Sequence, residues 1–239
     1  MMTEPLFMTD AYRKSASARV IALTEEGGIV LDRTIFYARG GGQPGDSGIL
    51  DWEGGRIPVA TAVKGEGAAI VLVPAEPGRL PPVGAEVNQR IDWDRRYGHM
   101  RIHTALHLLS VVMPFPVTGG AIGADKGRLD FDMPDAPEEK ALIEGRLNAL
   151  ITRDLAVSED WITEAELDAN PGLVKTLSVQ PPRGAGRIRL VRIGEGAGQV
   201  DLQPCGGTHV KRTGEIGKLA IGKMEKKGRQ NRRITIELV

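Results

Sequence analysis

The run "DWDRRYGHMRIHTALHLLSVVM", residues 92 to 113, marks the point where one kind of chain gives way to another. It has no proline and a single glycine, Gly98, and its apolar residues Ile102, Ala105, Leu106, Leu109 and Met113 recur at helical spacing. The spacing predicts a helix, with Asp92 or Asp94 as its cap and Pro114 as its stop. Upstream, the texture is β. "RVIALTEEGGIVLDRTIFYA" (19–38) sets two β-branched runs around a Glu-Gly-Gly turn, a hairpin signal. "GILDWEGGRIPVATAVKGEGAAIVLV" (48–73) repeats short strands and glycine turns, and "EVNQRIDW" (86–93) reads as a last strand. Short strands at this spacing suggest a small barrel.

Downstream, helices and strands mix. "GRLDFDM" (127–133) alternates Leu129, Phe131 and Met133 with acids, as a strand with one buried face does. "PEEKALIEGRLNALITRDL" (137–155) is amphipathic, with Ile143, Leu147, Leu150, Ile151 and Leu155 along one side. "GRIRLVRIG" (186–194) alternates, and "RRITIEL" (232–238) closes the chain as a strand. The fold class is therefore α+β. We expect an N-terminal barrel-like domain over residues 1–92 and a second domain, two layers of α and β with an antiparallel sheet, over residues 93–239.

Apolar residues at 41% and charged residues at 26% are those of an ordinary soluble globular protein, long enough to bury a core. No run approaches a membrane span, and the first residues do not read as a signal peptide. A single cysteine allows no intrachain disulfide, which fits a reducing cytoplasm. Basic and acidic residues balance at 31 each but are unevenly placed. Asp130 to Asp168 carries twelve acids against three bases, whereas Cys205 to the end carries nine bases against three acids. That basic tail is either a solvated edge or a face for a polyanion.

Scarce soft ligands are grouped. The four histidines and one cysteine of the chain include His103 and His107 in "IHTALH" (102–107), and Cys205 and His209 in "CGGTH" (205–209). On a helix, residues four apart share a face, so two imidazoles can converge on one ion. The glycines between Cys205 and His209 suit a tight loop. Three nitrogens and a sulfur suit tetrahedral zinc. The plainer alternatives are a structural zinc site or histidines satisfied within a core. His99, one turn before His103, is left outside the ligand set, at the mouth of the site or on the surface. "TIFYARGGGQPGDSG" (34–48) cannot be a regular strand interior; it is a hairpin loop or a phosphate cradle. It matches neither dinucleotide nor P-loop spacing and no helix pattern follows, so nucleotide binding there is rejected.

Taken in order, "TIFYARGGGQPGDSG", "MRIHTALHLL" and "CGGTHVKRTGEIG" resemble the three signatures of alanyl-tRNA editing domains, found in alanyl-tRNA synthetase and in free-standing AlaX-type proteins of medium length. The resemblance covers residues 20 to 239 and implies a glycine-motif barrel joined to a zinc-bearing editing domain. It implies hydrolysis of the ester in tRNA(Ala) mischarged with serine, or with glycine, without nucleotide or membrane, in the cytoplasm. It assigns zinc to His103, His107, Cys205 and His209, recognition of the serine hydroxyl to Thr34, and a place near the reacting end to Gln43. Asp46 would shape its loop, and Arg95, Arg96 and Arg101 would contact the acceptor stem unless they are simply solvated. The competing readings are a non-catalytic RNA-binding module stabilised by zinc, and editing of Ser-tRNA(Thr). Oligomeric state is not legible.

Overall fold

In a computed structural model, which describes residues 1–134, 139–177 and 186–239, the β-branched runs of the first ninety residues close on themselves. The strands are β1 (Ser15–Leu23), β2 (Ile29–Leu31), β3 (Gly48–Trp52), β4 (Gly55–Lys64), β5 (Ile70–Pro74) and β6 (Glu86–Ile91). They form a closed barrel in the order β1-β2-β5-β4-β3-β6, with β6 pairing back to β1 and every pair antiparallel. Closure leaves no free sheet edge. Alternation chooses the faces: in β6, Val87, Gln89 and Ile91 point inward and Glu86, Asn88 and Arg90 outward. Val20, Leu31, Leu50, Ile57 and Leu72 fill the interior.

The chain divides into two compact units, Met1–Tyr97 and Gly98–Val239. In the first, the glycine-rich run is a hairpin turn. Gly40 and Gln43 exchange backbone hydrogen bonds of 3.1 and 2.9 Å, with Gly41 and Gly42 between them at φ +56° and +82°. Positive φ at both central residues is what a type I′ turn demands, and only glycine adopts it freely at both. The turn's return limb is clasped by a buried ion pair. The Arg96 guanidinium donates to the Asp46 carboxylate and to the carbonyls of Ala11 (3.0 Å) and Ile35 (2.6 Å). Asp46 in turn accepts the Tyr37 amide at 2.6 Å. Arg96 is fully buried, so it is a clasp of the barrel unit and not the exposed acceptor-stem contact expected from sequence.

Helix α1 (Trp93–Val112) follows, and Asp92 caps it by accepting the Arg95 amide at 3.2 Å. Strands β7 (Val117–Ile122) and β8 (Lys126–Asp132) come next, then helix α2 (Lys140–Thr152). The chain continues with β9 (Val157–Thr163), helix α3 (Glu164–Ala169), β10 (Arg187–Ile193), β11 (Asp201–Pro204), β12 (Leu219–Lys226) and β13 (Asn231–Leu238). An antiparallel four-stranded sheet runs β12-β13-β8-β7, and a three-stranded one runs β9-β10-β11. Helix α1 lies close on its surroundings: a Cβ at Gly98 would stand 2.4 Å from the Ala124 carbonyl oxygen, and one at Gly127 of β8 would meet the Ile102 side chain at 2.5 Å. Ile143, Leu147 and Ile151 of α2 are buried. The amphipathic run from 137 starts outside the described residues, and its Leu155 falls beyond the helix. Asn148 of α2 occupies the edge of β12, donating to the Leu219 carbonyl (2.9 Å) and accepting its amide (3.0 Å). "GRIRLVRIG" does not alternate in burial: Ile188 to Val191 are buried in succession, because β10 is the central strand of its sheet. The α+β class, barrel and antiparallel sheets are as expected. Among the described residues no helix is long and apolar enough to cross a membrane.

Candidate metal centre

Within the second unit, α1 and the segment after β11 bring the four scarce ligands together. The donor atoms of His103, His107, Cys205 and His209 all lie within 4.8 Å of one another. Cys205 Sγ is 3.4 Å from His103 Nε2 and 3.3 Å from His209 Nε2. For zinc, bond lengths of about 2.3 Å to sulfur and 2.0 Å to nitrogen place neighbouring donors roughly 3.5 Å apart on a tetrahedron. The sulfur–nitrogen separations fit.

The outer nitrogens are held so that the inner ones face the cluster. Thr104, between the two helical histidines, donates its hydroxyl proton to the Met100 carbonyl at 3.0 Å. Its oxygen therefore accepts, taking His209 Nδ1–H at 3.1 Å and the Val210 amide at 3.3 Å. On His107, Nδ1 lies 2.9 Å from the buried carboxylate of Asp201, the arrangement that fixes tautomer and direction in carboxylate–histidine–metal sites. The Cys205–His209 loop is fastened by Arg189 of β10, which is buried and donates to the carbonyls of Cys205 and Gly207 at 2.9 Å each. Gly206 and Gly207 both stay out of the left-handed region, so the loop's shape rests on Arg189 rather than on glycine freedom.

The electrostatics suit a cation. Burial pushes the Cys205 thiol up, but His103 and His209 beside it bring it well below the usual thiol range, toward the thiolate that binds metal. Burial, with the neighbouring His103, holds His209 well below its ordinary value, which leaves its lone pair available. Burial would lower His107 too, yet its hydrogen bond to Asp201 and the nearby Cys205 raise it to about 9. Asp201, despite burial, is drawn down to about 2 by His107 and Lys175. A metal taking its place here would displace a proton from His107. The donor set, the two sulfur–nitrogen separations and the outer hydrogen bonds fit zinc.

The other residues singled out in the sequence fall as follows. Thr34 is fully buried in the barrel unit, donating to Gln89 Oε1 at 2.8 Å and accepting the Phe36 amide at 3.1 Å. Gln43 is buried at the glycine turn. His99 is buried, not on the surface, and stands outside the ligand cluster. Arg101 is tied to the Ile216 carbonyl at 2.6 and 2.9 Å. Thr104, Asp201, Arg189 and Gln203, whose Nε2 donates to Asp201 Oδ2 at 2.8 Å, went unread in the sequence. Asp201 sits in "QVDLQP", an ordinary strand pattern, and its partner is 94 residues away.

Similarity to known proteins extends over both units. The family described as "Threonyl and Alanyl tRNA synthetase second additional domain" matches residues 188–235, which include Cys205 and His209. The family "tRNA synthetases class II (A)" matches residues 6–95. The chain thus falls in the class of proteins that share sequence domains with the class II synthetases, the additional domain among them. The alanyl-tRNA editing protein AlaX-M of Methanosarcina mazei is 37% identical, aligned over 100% of this chain and 97% of its own length. That of Saccharolobus solfataricus is 35% identical over 98% of each chain. The alanine–tRNA ligase of Pyrobaculum aerophilum is 40% identical over 94% of this chain but 25% of its own length, so the chain spans about a quarter of that ligase. The chain belongs to the AlaX-M family of alanyl-tRNA editing proteins.

Proposed function

We propose that this chain is a zinc-dependent deacylase that edits tRNA(Ala) mischarged with serine, and with glycine as a second substrate, in the cytoplasm. The observation that carries the reading is end-to-end likeness to AlaX-M proteins together with intact donors at all four metal positions. The chemical need is plain: a pocket made for alanine cannot exclude glycine by size and rejects one extra hydroxyl by only about 10²-fold. A second site that tests for the hydroxyl removes what the first admits.

The reaction adds water across the ester, OH to the acyl carbon and H to the ribose oxygen that leaves. His103, His107, Cys205 and His209 would hold the metal, while Asp201 and Thr104 keep His107 and His209 aimed at it. Bound there, zinc supplies Lewis acidity, by which a carbonyl is polarised or the pKa of water is lowered. Thr34 is assigned to the serine hydroxyl and Gln43 to the reacting end on the strength of their motif. The exposed Lys223, Lys226, Lys227 and Arg229 offer charge to the tRNA backbone.

One observation favours a second reading. Four protein donors can close a zinc site, and closed sites are usually structural. The chain would then be an RNA-binding module. Deacylation of Ser-tRNA(Ala) and Ala-tRNA(Ala), with Ser-tRNA(Thr) as the swapped-body control, separates these. We expect turnover of Ser-tRNA(Ala) well above the other two. Equal rates on serine and alanine, or tRNA binding without turnover, would sink the editing claim.

A further inference from the structure

Asp201 touches one metal-site histidine and one lysine, and the lysine has no place in the function so far. We propose that Lys175 is a positioning residue of the metal centre, acting on His107 through Asp201. The proposal rests on reading the four-residue cluster as a metal site.

The Asp201 side chain has no exposure, and its two oxygens are divided between two tasks. Oδ2 lies 2.9 Å from His107 Nδ1 and also accepts Gln203 Nε2 at 2.8 Å. Oδ1 accepts the Lys175 ammonium at 2.5 Å. A carboxylate withdrawn from water is costly unless a cation and hydrogen bonds replace its hydration. Lys175 is a cation that stays beside it whatever the protonation of His107. Its side chain is 28% exposed, so the stem reaches inward while part of it stays in water. With one oxygen pinned by Lys175, the carboxylate cannot rotate freely, and the direction in which it draws His107 Nδ1–H is set. The direction of Nε2, the atom left for the metal, follows.

The lysine is itself placed by backbone pairing rather than by chance on a loose loop. The Val117 amide of β7 donates to the Lys175 carbonyl at 2.9 Å, and the Leu177 amide donates to the Val117 carbonyl at 2.8 Å. Val117 and Thr176 thereby form a parallel bridge. Just upstream, a single 3₁₀ turn, Pro171–Leu173, leads into the segment. The ammonium is thus delivered from the four-stranded sheet to a carboxylate on the three-stranded one, beside a ligand on α1. Removing outer partners of metal ligands typically costs 10- to 100-fold in metal affinity.

The test is zinc affinity of the full chain, by competition with a chromophoric chelator, for wild type, Lys175→Met and Lys175→Arg. We expect Lys175→Met to bind up to about 10-fold more weakly, the low end for outer partners since it acts through Asp201, and Lys175→Arg to recover most of the loss. In the zinc-loaded protein, the His107 Nδ1 proton should exchange slowly in wild type and fast in Lys175→Met, a signature that general destabilisation would not produce. Should Lys175→Met not fold, Lys175→Gln, which keeps a donor without the charge, is expected to show the same weakening. A folded neutral variant with wild-type zinc affinity and a slowly exchanging His107 proton overturns the proposal. Wild type that takes up no zinc overturns the metal centre itself, a separate and recognisable failure.

Discussion

A hydroxyl group has one proton to give, and at Thr34 that proton is given to Gln89. One lone pair of the same oxygen takes the Phe36 amide, so any further partner must be a donor, as the hydroxyl of serine is. If Thr34 reads that hydroxyl, Thr34→Val keeps the shape and removes the acceptor, at roughly 1–3 kcal/mol. The rate ratio of Ser-tRNA(Ala) to Ala-tRNA(Ala) should then narrow by about 5- to 150-fold, since 1.4 kcal/mol is a decade. An unchanged ratio would return Thr34 to a purely internal role in the barrel. Single residues differed in how legible they were. His103, His107, Cys205 and His209 stood out because histidine and cysteine are rare in this chain. Asp201 and Lys175 did not, because their meaning lies wholly in contacts between distant segments. Arg96, and His99 so far as it was set on the surface, were misplaced outward for a related reason: a polar side chain reads as exposed until the packing around it is known.

The elements were easier to read than their burial. Hairpin β1–β2, helix α1 and the closing strand β13 follow directly from turn residues and apolar spacing. The burial of strand β10 did not follow, since Arg189 looks like the outward member of an alternation and instead turns inward onto the Cys205 loop. The glycine-rich run is the clearest case of a motif with a local cause. Its φ values make the turn, and the Arg96–Asp46 pair secures the limb that follows it. Asp46→Asn would leave Arg96 buried beside no anion, and breaking such a pair costs about 3–5 kcal/mol. Equilibrium urea unfolding should show a loss of this size in the first unit. A loss under about 1 kcal/mol, the worth of a surface ion pair, would contradict the role of the clasp.

Over the whole molecule, the bases of the C-terminal region divide into those tied into the fold and those left exposed. Arg212 pairs with Asp154, Arg233 with Asp130, and Arg232 is buried against the Pro134 carbonyl, so these three bases serve the fold. Lys227 pairs with Glu225, while Lys223, Lys226 and Arg229 are exposed around the β12–β13 hairpin, where the proposed tRNA backbone would meet them. Net charge alone could not make that division, since it depends on which acids the fold brings beside each base. The α+β class and the barrel were legible, because strand and helix periods change sharply at Trp93. If the chain is the deacylase proposed, the metal serves the reaction and not merely the fold. The direct measurement is the rate of Ser-tRNA(Ala) deacylation as zinc is titrated into folded, metal-free protein. We predict that the rate rises with occupancy and levels off at about one zinc per chain. Full activity in the metal-free protein, or a zinc-saturated protein that binds tRNA and releases no serine, would contradict it.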